Sequence, residues 1–443
     1  MSSKNTTVRA DLIIRAEKLI TMSPRQPVLN EVEVLIREGR IESIRPAQEI
    51  SGYGAHEFID ARGCLVMPGL INAHCHAAMT LFRGLADDMP LKQWLFEKIF
   101  PAEARYLSPE NVYWGAMLAF VEMISSGTTC FSDGYFFQEK TLEAAQKIGI
   151  RGLVAQGVID FPAPGVPKPE KNLAVAKEFV ERWRGISTLL TPSIFCHSPV
   201  TCSEKTLQGA MELCLSNGVP MQIHLAETLD EVDSVVAQKG VRPVHYLERL
   251  GILNETLIAI HCVHVDDHEM GLLSERQVAV VHCPQSNMKL ASGVCPVREL
   301  LSAGIVVGLG TDGCASNNDL DMFGEMDTAA KLSKVASGDP TSLAAGTALK
   351  LATSEGAKAL GLGKEIGSIE VGKRADIIIV DLGKPHLQPL YDPVSTLVYS
   401  AKGGDARDVI INGKVIMRNR EIVTVDVEEV FWNVNKIANK ISV

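Results

Sequence analysis

The chain has 443 residues, long enough for one barrel-sized domain of roughly 250–300 residues and a smaller companion. Hydrophobic residues make up 46% and charged residues 22%, the balance of an ordinary globular protein. The formal net charge is −10 with no lysine or arginine block, which argues against a nucleic-acid partner.

The opening, "MSSKNTTVRADLIIRAEKLI", mixes charges into its apolar residues and has no signal-peptide core. Residues 8–65 then read as short strands: "DLIIRAEKLITM", "EVEVLIREGRIESI" with a turn at Glu38–Gly39, and "EFIDARGCLV". From residue 65 eight strand-like runs follow: "CLVMPGLINAHCH", "SGTTCFSDGY", "RGLVAQGVID", "LTPSIFCHS", "VPMQIHLAET", "LIAIHCVH", "VAVVHCPQSN" and "IVVGLGTDG". Helical patterns separate them, such as "TLEAAQKIGI" and "EKNLAVAKEFVERWR", where Leu173, Ala176, Val180 and Trp183 share one face. Eight βα units in about 300 residues predict an α/β fold, a TIM (β/α)8 barrel. From about 366 the strand pattern returns in "GSIEVGKRADIIIVDL", "VSTLVYSA" and "DVIINGKVIM", with Asn412–Gly413 as a hairpin signal.

This order predicts three segments. Residues 1–66 and 366–443 are two halves of a small β-sandwich that unites the termini, and residues 67–365 are the barrel. Apolar runs such as "ADIIIV" are too short to span a bilayer, so no membrane partner is expected. Ten cysteines without a CxxC pair read as reduced, packed thiols in a cytoplasmic protein.

A barrel enzyme carries its catalytic groups at the carboxyl ends of its strands. His74 and His76 close the first strand, His197 the fourth, and His224 the fifth with Glu227 three residues on. His261, His282 and Asp312 close the last three. A backbone-satisfied core histidine explains any one of these alone, but not their alignment on one rim. Alternation turns His74 and His76 to one face and Cys75 to the other. Imidazoles plus one carboxylate suit zinc or a similar divalent ion, and His74, His76, His224 and Asp312 make such a set. The cysteines beside the site (Cys75, Cys196, Cys262, Cys283 and Cys314) read as small core filler.

The motifs "PGLINAHCHAAMTLFRGLADD", "HLAET", "HCVH", "HCPQSNMKLASG" and "GLGTDGCASNNDLDMFGEM" resemble the amidohydrolase superfamily. Within it they look like the 5-methylthioadenosine/S-adenosylhomocysteine deaminases and their chlorohydrolase-like relatives. The resemblance runs from the first barrel strand to the eighth and extends to the flanking β segments. It implies hydrolytic deamination of an adenine nucleoside at C6, most of all 5-methylthioadenosine, by hydroxide that a bound metal generates near neutral pH. Some relatives bridge two metals with a lysine after strand four. Here that strand reads "SIFCHS", so one divalent metal per subunit is expected, zinc or iron. The cytidine-deaminase pattern of HxE with PCxxC is absent.

The resemblance also assigns roles. Asp312 contacts the metal and takes a proton from water, Glu227 protonates the ring nitrogen and serves the leaving amine, and His261 steadies the attacking oxygen. The plain alternative for Glu227 is an acid favoured at a helix N-terminus. Trp94 and Glu103 would lie near a ribose, with Glu103 binding both hydroxyls, although a solvated helix-start acid after Pro101 is the plainer reading. His197 would contact the nucleoside, Arg151 its polar tail, and Ser316 the base. The loop "DFPAPGVPKPEKN" departs from the family, with lysines where a second arginine for an amino-acid carboxylate would sit. The rival readings are a guanine, pterin or triazine hydrolase and a metal-free assembly scaffold, which would lack ligands. A homo-oligomer with a small-molecule nucleoside substrate is expected.

Overall fold

A computed structural model describes residues 10–47 and 54–441. Residues 1–9, where the opening lacks a signal-peptide pattern, lie outside the described residues, as do 48–53 and 442–443. The N-terminal segment forms β1 (Ala10–Ile20), β2 (Val28–Arg37), β3 (Arg40–Pro46) and β4 (Ala55–Pro68). Glu38 and Gly39 both take positive φ, +50° and +73°, the backbone that matches a tight hairpin turn to the twist of its strands. Only Gly69 separates β4 from the first strand of a second sheet.

That second sheet holds β5 (Leu70–His76), β6 (Thr128–Tyr135), β7 (Arg151–Val158), β8 (Leu190–Cys196), β9 (Met221–Leu225), β10 (Leu257–His261), β11 (Ala279–His282), β12 (Val307–Leu309) and β13 (Asp312–Gly313). Neighbours run parallel in chain order from β5 to β12, and β13 pairs back onto β5. This all-parallel arrangement is of the TIM-barrel type. Nine strands stand where eight were expected because the eighth run breaks between β12 and β13.

The break has a steric cause. A Cβ on Gly310 would lie 2.7 Å from the His74 backbone nitrogen, so only glycine lets the chain pass so close to β5. Asn72 then ties the crossing reciprocally, donating to Thr311 Oγ1 at 2.7 Å and accepting the Thr311 N–H at 3.1 Å. The result presents Asp312 beside Cys75 of β5.

The helical readings hold. "TLEAAQKIGI" lies in the helix Gln138–Ile148 except for its last two residues, where Gly149 ends the helix, and residues 170–184 contain the helix Asn172–Trp183 with Ala176 and Val180 buried. Among the described residues no helix is long and apolar enough to cross a membrane. All ten cysteines are buried and unbridged.

The C-terminal segment contributes β14 (Ile377–Asp381), β15 (Ala406–Ile411), β16 (Lys414–Arg418) and β17 (Glu421–Ile422), whereas "VSTLVYSA", read as a strand, starts in the helix Pro393–Tyr399 that Asp392 caps. They continue the first sheet in the order β17-β16-β15-β14-β4-β1-β2-β3, so the two ends of the chain do share one structure. The hydrogen-bonded unit is one continuous sheet of eight strands. Its outer hairpin returns onto the C-terminal segment, where Arg40 bridges Arg374 and the Ala375 N–H donates to Gly39 at 2.9 Å. Leu12, Ile14, Val34, Ile59, Val66, Ile377 and Ile379 pack in a core of their own beneath it.

Candidate metal and catalytic site

His74, His76, His224 and Asp312 each offer one ligand atom, and these atoms lie within 4.8 Å of one another. The strand ends bring them together: β5 supplies two imidazoles, β9 the third and β13 the carboxylate. His76 Nε2 is 3.2 Å and His74 Nε2 is 3.5 Å from Asp312 Oδ1, and His74 Nε2 faces His224 Nε2 at 3.3 Å. His76 Nδ1 donates to the Gly134 carbonyl at 2.6 Å, which leaves the lone pair of a neutral ring on Nε2, aimed at the cluster.

The electrostatics suit a cation. Burial pulls His74 down to about 4 and His224 well below the usual imidazole value, so both are neutral near pH 7. Burial works against charge on Asp312 too, but its hydrogen bonds with His74 and His76 outweigh it and hold the carboxyl well down. Burial also opposes charge on His76, where the hydrogen bond and charge of Asp312 prevail and raise it. With His74 and His224 neutral and Asp312 ionised, the converging donors offer lone pairs and negative charge to a cation. Three imidazoles and one carboxylate make a donor set that suits a divalent ion.

Around the cluster stand the other groups. The Asp312 Oδ2 atom accepts from Ser286 Oγ at 2.6 Å and Ser316 Oγ at 2.9 Å. His261 Nδ1 is 2.9 Å from Asn287 Oδ1, and its Nε2 is 3.8 Å from Glu227 Oε2. Glu227 accepts from Ser292 at 3.1 Å, and burial raises its carboxyl above the usual range. Such a carboxyl carries a proton to higher pH than a solvated one, which an acid catalyst needs.

His76, His224 and Asp312 open into a cavity of about 1200 Å³. Trp94, Glu103, His197, Glu227, His261, Asp312 and Ser316 all line it. Glu103 is buried, accepts the Tyr135 hydroxyl at 2.6 Å, and is pushed up to about 7 by that burial. It is therefore no solvated helix-start acid. His197 accepts or donates at Thr201 Oγ1, 2.9 Å away, and burial lowers it to about 4.

A sequence profile of the amidohydrolase family matches residues 65–416. The chain belongs to the amidohydrolase family. It is 48% identical over 434 residues to a 5-methylthioadenosine/S-adenosylhomocysteine deaminase of Syntrophobacter fumaroxidans, covering 98% of this chain and 99% of that one. A 5'-deoxyadenosine deaminase of Methanosarcina acetivorans is 45% identical over 437 residues, with 98% of each chain covered. The zinc-bound crystal structure of an adenosine deaminase from Xanthomonas campestris superposes with a TM-score of 0.95 at 40% identity, over 98% of both chains. A triazine hydrolase shares the fold at a TM-score of 0.88 and 23% identity, covering 96% of this chain and 99% of that one.

One expected contact does not fit this amidohydrolase. Arg151 is the first residue of β7, whereas the cavity is built at the carboxyl ends. Its guanidinium is buried against Asp376, with Nε to Oδ2 at 2.6 Å and Nη2 to Oδ1 at 3.1 Å. Arg151 therefore joins barrel to flanking sheet and does not meet a substrate tail. The lysines of the strand-three loop, Lys168 and Lys171, are also absent from the cavity wall, while Lys92 and Lys289 line it. His282 closes its strand as read, but it lies outside the ligand set.

The sequence reading missed several partners. Tyr135, Asn287 and Ser292 sat in quoted motifs without a role, because nothing local marks a residue whose use is to orient a distant side chain. Asp133 was also passed over. Buried in "FSDGY", it accepts the Ala77 N–H at 2.5 Å and Gln138 Nε2 at 2.6 Å, and so fixes the chain directly after His76.

Proposed function

We propose that this amidohydrolase removes the C6 amino group of an adenine nucleoside by hydrolysis, with 5-methylthioadenosine as the first candidate. One observation carries the reading. Three of the four clustered donors (His76, His224 and Asp312), Glu227 and the buried Glu103–Tyr135 pair line one cavity, with His74 packed behind them. The names of the similar deaminases support it.

In this reading the barrel of residues 67–365 is the catalytic unit, and residues 1–66 and 366–443 share a β-sandwich that supports it. His74, His76, His224 and Asp312 hold one divalent ion, zinc first. When bound, the ion supplies the Lewis acidity that makes water a nucleophile at neutral pH. Asp312 accepts a proton from the attacking water, while Ser286 and Ser316 hold its other oxygen. Glu227 donates a proton to the ring nitrogen beside C6 and regains one from the hydroxyl on the tetrahedral carbon, while the proton taken by Asp312 passes to the amine, so that ammonia leaves as the C6 carbonyl forms. His261, oriented by Asn287, steadies the oxygen as the tetrahedral carbon forms. Glu103 accepts both ribose hydroxyls, and Trp94, His197 and Ser316 complete the nucleoside contacts.

The ultraviolet shift from adenine to hypoxanthine on mixing with 5-methylthioadenosine tests this directly. Adenosine and S-adenosylhomocysteine run alongside, with and without chelator. Chelator-sensitive conversion is expected. No shift with any nucleoside from metal-loaded protein moves the reading to a guanine, pterin or triazine ring.

A further inference from the structure

We infer that Glu231 is a positioning residue for the proton donor, clamping the backbone on which Glu227 is carried. The inference rests on the role of Glu227 given above. Its two carboxylate oxygens are divided between consecutive amides: Oε1 accepts the Ala226 N–H at 3.0 Å and Oε2 accepts the Glu227 N–H at 2.8 Å.

The clamp acts where the backbone is strained. Ala226 has a φ of +52°, a left-handed conformation that crowds the Cβ of a non-glycine residue against the following carbonyl. The carbonyl of Ala226 is held as well, accepting the His264 N–H at 2.9 Å. Both polar groups of this residue are therefore tied, one to the following helix and one to the loop after β10. The turn so fixed carries the chain from His224 to Glu227 in three residues, and it decides where the acid points relative to the metal ligands.

Helix capping alone does not explain the arrangement. Thr228 caps the helix Leu229–Lys239 and accepts the Glu231 N–H at 3.2 Å. A glutamate at that helical position ordinarily reaches back to the amide of the cap residue itself. Glu231 instead bypasses Thr228 and bonds the two residues before it. That extra reach brings it to Glu227 and to the strained alanine.

The test uses metal-loaded full chain carrying Glu231→Gln, which keeps the shape but turns one acceptor into a donor facing an N–H. Three quantities are read: kcat and KM for 5-methylthioadenosine, bound metal per subunit, and hydrogen exchange at the Ala226 and Glu227 amides. The expected result is kcat lower by about ten- to hundredfold, in line with small misplacement of a catalytic group. KM and metal content stay near wild type while both amides exchange faster. Glu231→Asp, which reaches only one of the two amides, should fall between, and it carries the same readouts if the glutamine variant does not fold.

A kcat within twofold of wild type overturns the inference, and so does a loss of kcat that only parallels loss of metal. Unchanged exchange at both amides also overturns it. If the wild type converts no adenine nucleoside, the reading of the site has failed instead, and amide exchange still judges the clamp.

Discussion

Tyr135 donates its hydroxyl to Glu103 across 2.6 Å in a fully buried pair, and burial lifts that carboxyl to about 7. The hydroxyl works against the lift, because a donor stabilises the ionised form. Two residues 32 positions apart thus set the charge state of the group that would hold the ribose.

The pH dependence follows from the sign of this shift. Glu103 must be ionised to accept from two hydroxyls, so KM for the nucleoside should fall as pH rises through about 7. Tyr135→Phe removes the donor and moves that fall to higher pH, raising KM at neutral pH by about tenfold for a bond of this kind. Its effect on stability has the opposite slope. A raised carboxyl favours the fold fully below its ordinary value of 4.5, and that contribution is lost as pH rises through about 7. A KM that is flat between pH 6 and 8 on the order of experimental error would remove Glu103 from the ribose contact.

Glu227→Gln should lower kcat by about a thousandfold, within the usual span for a lost general acid. Metal content should not change, since Glu227 is not among the four clustered ligand atoms. Steady-state kinetics with metal analysis on one preparation decides it. Activity within tenfold of wild type would pass the proton donor's role to another group.

Chelation should abolish turnover and restoring zinc should recover it. The same treatment should lower the melting temperature, because His74, His224 and Asp312 then face one another with no cation between them. His224→Ala should bind at least tenfold less metal, by analogy with the loss from a weakened ligand set. Full activity in metal-free protein would end the proposal.

Arg151 makes a different prediction. Arg151→Met leaves Asp376 buried and uncompensated, so stability should drop by about 3–5 kcal/mol. The ratio of kcat/KM for 5-methylthioadenosine to that for S-adenosylhomocysteine should not move. Denaturant melts and paired assays check both halves, and a changed ratio at unchanged stability would return Arg151 to the substrate.

Local signals carried much of the design. Alternation in "INAHCH" turned His74 and His76 to one face, and the run count located His224 and Asp312 at other strand ends. Asn412 and Gly413, at φ +52° and +76°, form the hairpin that their sequence predicts. Arg151 failed because a residue at the start of a strand lies at the opposite end of the barrel from one at its close. Its motif offered a charge but no direction.

Patterns of side-chain type along the chain were enough for the βα alternation, most of the flanking strands and the four strand-end residues whose donor atoms meet. Tertiary structure alone decided which polar groups meet. Asp376 reached Arg151 across 225 positions, and Asn287 reached His261 across 26. It also broke the eighth strand where Gly310 passes His74. The reason is physical. Periodicity follows from local backbone geometry, whereas a buried polar group takes whichever partner the closed fold brings within about 3 Å of it.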